Sequence, residues 1–131
     1  AGALEQRRHA LARRLKSLDW SDAVARHEAR IAAKKMRYAS EFFVGLGPKD
    51  RADRYRPFVK SLSELQDRLG GLNDVAVAEQ MAPEILVNAK DAARTAYAAG
   101  LIIGRDLAAA ERLTKKARRA GRTFLGAPAW W

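Results

Sequence analysis

Apolar residues recur along this chain at helical spacing, and nowhere do they alternate as in a strand. Leu4, Leu11, Leu15 and Leu18 fall on one stripe, with Arg7, Arg13, Arg14 and Lys16 around the rest, predicting a first helix over about 2–18. "LDWSD" interrupts it, and Ser21 or Asp22 can cap a second helix over about 22–45, which "GLGP" ends. Leu62, Leu65, Leu69 and Leu72 carry a third, with Pro57 tolerable in its first turn and a kink allowed at Gly70 and Gly71. Pro83 reads as a further helix start, and one long pattern runs from Asp91 to about Arg122. Within it Gly100 and Gly104, one turn apart, leave a flat surface for a neighbouring helix. The predicted fold is all-α: an antiparallel four-helix bundle with long helices, a single domain over 1–131. Trp20, Trp130 and Trp131 are expected to be ordered, and a shared cluster would bury them.

Composition narrows the function. The chain has no cysteine and two histidines far apart, which argues against thiolate or histidine metal sites; no cofactor is expected. No run of roughly 18 apolar residues is present, so a soluble, cytoplasmic protein without membrane contact is expected. Lysine and arginine number 25 against 15 acids, giving +10. The excess is uneven: residues 1–20 carry +3, 21–50 carry +2, 51–110 sum to zero and 111–131 carry +5. Such a field attracts polyanions.

The cations are organised. At 100° per residue His27, Arg30, Lys34, Arg37, Tyr38 and Glu41 share an arc of about 100°, while Ile31, Phe42, Ala39, Ala32, Phe43 and Met36 read as the core side, where Lys35 would have to snorkel. Arg112, Lys115, Lys116 and Arg119 form a second stripe, opposite Leu107, Leu113, Ala117 and Phe124. Basic stripes are most often just solvated helix faces. Here only Glu111 opposes six cations in 111–131, and like charges one turn apart repel by a few tenths of a kcal/mol, a cost that a bound anion relieves.

"RHEARIAAKKMRYASEFF", with "LQDRLGGLNDVAVA" and the closing Phe124, Trp130 and Trp131, resembles the CHAD family, the conserved histidine α-helical domains. The matching positions are His27, Arg30, Lys34, Lys35, Arg37 and Tyr38, then Gln66, Gly70, Asn73 and Asp74. The resemblance implies an all-helical domain of two four-helix units that binds inorganic polyphosphate, in proteins that can carry a triphosphatase domain or associate with polyphosphate granules. His27, Arg30, Lys34 and Arg37 become ligand contacts by that resemblance. A full domain of the family is roughly twice as long, so this chain corresponds to a C-terminal unit, and a second half or a second copy is an expected partner.

Three functions are weighed on this basis. Non-catalytic polyphosphate binding uses Arg30, Lys34 and Arg37 as a central stripe, joined by His27 and Lys35, and extended by Arg112, Lys115, Lys116 and Arg119, with Arg8 and Arg14, if those helices lie nearby. An RNA- or DNA-binding module could use the same cations, although exposed aromatic platforms are scarce. A phosphohydrolase with His27 as acid or base needs convergent carboxylates, and the basic stripe contains only Glu41.

Overall fold

A computed structural model describes residues 2–46 and 51–131. Four helices make up the fold: α1 (Gly2–Lys16), α2 (Ala23–Gly45), α3 (Ala52–Val87) and α4 (Ala92–Gly126), each packed on the next in sequence. The all-helical class and the four-helix arrangement are as the periodicity predicts. Gly47 and Pro48, expected to end α2, lie outside the described residues.

Local chemistry sets the boundaries. α1 ends at Lys16, where the Ser17 hydroxyl donates to the Arg13 carbonyl at 3.0 Å. The Asp19 carboxylate then accepts from the Ser21 amide at 2.9 Å and its hydroxyl at 2.6 Å, bonds that hold the acid below its usual range. Of the two residues offered as cap, Asp22 serves, accepting from the Val24 amide at 2.8 Å. Asp91 does the same for α4 through the Arg94 amide.

The prolines behave differently from the expectation. α3 begins at Ala52, so Pro57 lies past its first turn, and Pro83 opens no helix but sits inside the same one. Each leaves a carbonyl one turn back without its amide donor, and the helix continues through both.

The core is confined to one end. Leu4, Leu11 and Leu15 of α1 meet Ala29, Ala33 and Met36 of α2, Phe58, Leu62, Leu65 and Leu69 of α3, and Ala120 and Phe124 of α4. Buried α2 residues are thus mostly small, letting the helices approach closely. The predicted core side of α2 is rotated as a result: Ile31 is 37% and Phe42 63% exposed, and they look toward α1.

The tail after α4 closes this end. Trp130 is fully buried, edge-on to Tyr55 and Trp131, and Phe58 stacks against Phe124 and Trp131 at 5.5–5.6 Å. Trp131 Nε1 donates to Glu5 at 2.9 Å, and Arg8 donates to the Ala127 carbonyl at 2.7 Å. Trp20 stands apart from that pair, lying over Gly121 beside Leu15.

Helix lengths make the other end different. α3 with 36 residues is about 54 Å long and α4 nearly the same, against about 22 Å for α1. Cross-helix pairs fix α2 antiparallel to α3, with His27 beside Asn73 and Arg30 beside Gly70. The first turn of α2 therefore stops level with Asn73, and α3 and α4 continue beyond it as a two-helix hairpin.

Candidate functional site

The α2 face next to α3 opens onto a groove of about 450 Å³ lined by Arg30 and Arg37 from α2 and by Ser63, Gln66, Asp67, Gly70, Gly71 and Asp74 from α3. Its α3 wall is a helical stripe at i, i+3, i+4, i+7, i+8 and i+11 from Ser63. Small residues matter there: a Cβ on Gly70 would stand 3.6 Å from Arg30 Nε, so the guanidinium lies directly over bare backbone.

His27 is exposed, and its Nδ1 lies 3.0 Å from Asn73 Oδ1, an acceptor, which ties the ring to the end of the groove. Arg37 donates to Glu41 at 2.8 Å while its guanidinium stacks on Tyr38, 4.9 Å from the ring centroid. Lys34 Nζ lies 5.6 Å from the same centroid, so Tyr38 gathers two cations on one ring. Arg30, Lys34 and Arg37 thus form a cationic edge that leads to His27. Two carboxylates, Asp67 and Asp74, share the groove with Arg30 and Arg37. The helical arc of α2 alone does not reveal them, because they come from the opposing helix; Asp67 and Ser63 are legible only as members of the α3 stripe.

The other expected site residues are distributed elsewhere. Lys35 is exposed rather than snorkelling from the core, and it lines a second groove of about 330 Å³ between α1 and α2 with Arg7, Arg14, Glu28 and Ile31. Arg14 stands 3.7 Å from Glu28 there. Arg7, one heptad before Arg14, is a cation that the sequence reading assigned no role. Arg8 holds the tail through Ala127. Arg112, Lys115, Lys116 and Arg119 are all exposed on α4, which packs chiefly against α3, and none of them lines the α2–α3 groove. Lys115 pairs with Glu111 at 2.7 Å, a bond that lowers the Glu111 pKa. The α4 stripe therefore contributes nothing to the α2–α3 groove.

Among the described residues no group of three or more histidine or acidic side chains converges as a metal site, and no helix is long and apolar enough to cross a membrane. The model of the CHAD domain family matches residues 1–83 of the 131. No curated protein and no solved structure matches the chain.

Proposed function

The chain belongs to the CHAD domain family, which is associated in general with polyphosphate and triphosphate binding, and from that premise we propose that it binds inorganic polyphosphate without turning it over. The observation that carries this reading is the placement of Arg30 and Arg37, seven residues apart on α2, over an α3 floor of small and polar side chains that also includes the carboxylates Asp67 and Asp74. Arginine forks take phosphate oxygens two at a time, and a rigid helix presents them with little entropy left to lose. Lys34 and His27 extend the edge along the helix axis, the geometry that a linear polyanion needs. Recruitment to polyphosphate granules follows from the same contacts.

His27 supports binding better than catalysis. Its ring is bonded to an amide oxygen, not to a carboxylate that would orient it as a general base. The α1–α2 groove with Arg7, Arg14 and Lys35, and the α4 stripe, serve as secondary cationic surfaces for a long polymer.

The test is a titration of long-chain polyphosphate, with RNA of matched charge as competitor, over a salt series. Arg30→Ala with Arg37→Ala should weaken polyphosphate binding at least tenfold while the circular dichroism spectrum stays helical, and RNA should compete poorly. Equal competition by RNA would make the protein a general polyanion binder, and unchanged affinity in the double variant would remove the groove from the site.

A further inference from the structure

The rotation of α2 leaves aromatic rings beside cations. Phe42 and Phe43, read from the sequence as core-facing, are exposed together with Tyr38 and line a groove of about 630 Å³ between α1 and the second half of α2. Arg7 and Lys35 line it too, and both also line the basic groove that holds Arg14, so these two cations form the common wall of an aromatic chamber and a basic one. Among the described residues the side chains of Arg7 and Lys35 make no ion pair or hydrogen bond, whereas Arg14 stands by Glu28 and Arg37 by Glu41. Solvated cations and single exposed apolar side chains are each common on soluble proteins. Three rings within six residues, set against two cations, form a patch with two chemistries.

Polyphosphate can lie across the cations, but it has no apolar part and leaves the rings in water. A bilayer would meet the convex outer faces of the helices rather than the floor of a groove. The ligand that uses both chambers is compact, with several negative charges at one end and a flat ring at the other. We propose that this face binds a nucleoside triphosphate, with the phosphates on Arg7 and Lys35 and the base stacked on Phe42.

Spacing and charge agree with that ligand. Phe42 follows Lys35 by seven residues, about 10 Å along the helix axis, which suits the reach from a base to its terminal phosphates. Phe43 meets Phe42 at 5.3 Å with the two rings nearly perpendicular, which holds the stacking surface in place. Tyr38 borders the same groove and gathers Arg37 and Lys34 on its ring, adding positive potential. Glu28 lines the basic chamber 3.7 Å from Arg14, and this leaves the phosphates to Arg7 and Lys35. The site is distinct from the α2–α3 groove: the two share no lining residue, and Lys35, five residues after Arg30, points about 140° away from it around α2.

Calorimetric titration of the chain carrying Arg30→Ala and Arg37→Ala, without divalent cations, tests this site apart from the α2–α3 groove. ATP is expected to bind about tenfold more tightly than inorganic tripolyphosphate, which carries no less charge, because stacking a base on an aromatic ring contributes roughly that factor. Phe42→Ala should remove the preference and Phe42→Tyr should retain it. Arg7→Glu with Lys35→Glu should abolish binding of both ligands. All three positions are exposed, so the circular dichroism spectrum should stay helical in every variant. Equal affinity for ATP and tripolyphosphate, or a preference indifferent to Phe42→Ala, overturns the proposal. Binding to acidic phospholipid vesicles that Phe42→Ala abolishes, in a chain with no preference for ATP, also overturns it and assigns the rings to a lipid surface.

Discussion

Arg30 lies over Gly70: its Nε is 3.6 Å from where a β-carbon at position 70 would stand. That spacing is ordinary van der Waals contact, so one methyl group fits and a larger side chain does not. Gly70→Ala is expected to leave polyphosphate affinity unchanged and to stabilise α3 by about 0.5–1 kcal/mol, because glycine is a poor residue within a helix. Gly70→Leu should displace the guanidinium and lower affinity about tenfold with folding retained. Equal losses in both variants, measured by titration beside thermal melts, would show that the contact does not position Arg30.

Asp67 opposes the proposed ligand. A carboxylate in a groove with Arg30 and Arg37 repels phosphate, and partial exposure to solvent moderates the effect. Asp67→Asn is expected to tighten polyphosphate binding roughly threefold at low salt, with the gain fading as salt screens it. Weaker binding in this variant would assign the carboxylate to orienting the arginines.

The tail is a structural element. Trp130→Ala removes a fully buried ring and should cost about 3–5 kcal/mol in chemical denaturation. Arg8→Ala, which breaks one partly buried bond to the Ala127 carbonyl, should cost about 1 kcal/mol and leave polyphosphate affinity within a factor of two. A large affinity loss in Arg8→Ala at unchanged stability would return this residue to the ligand site.

Tyr55 gives stability an alkaline limit. Burial raises its phenol pKa above the ordinary value of 10.0, with the Glu41 charge adding to the effect. A raised folded-state pKa means the folded chain retains the proton more tightly than the unfolded one. The associated stability is complete below pH 10 and is lost as pH rises through the folded value. Tyr55→Phe should flatten the fall in denaturation midpoint above pH 10; an unchanged fall would place its cause in other groups.

The helices were legible where one stripe carried them. Leu4, Leu11 and Leu15, or Leu62, Leu65 and Leu69, can be read as buried directly, and Asp22 as a cap, because each depends on neighbours within a turn or two. The rotation of α2 was not legible, since choosing Ala29, Ala33 and Ser40 over Ile31 and Phe42 depends on how closely a distant helix approaches. Pro83 misleads because its local signal is a start, whereas α3 runs through it to Val87. In the site, Arg30 and Arg37 could be placed together from spacing on one helix. Asp67 could not be set against them, and Arg112 and Arg119 could not be separated from them, without knowing that α3 walls the groove and that α4 packs chiefly on α3.

The clasp between Glu5 and Trp131 joins positions 126 apart in sequence, and that between Arg8 and Ala127 joins positions 119 apart. In folding order this makes α1 a waiting element. The α3–α4 hairpin can zip locally across a short turn, whereas three leucines of α1 find part of their partners only when residues 117–131 have been synthesised and have returned to them. Until then a nascent chain displays a basic helix whose apolar stripe α2 and α3 cover only in part, the kind of transiently exposed surface that chaperones bind.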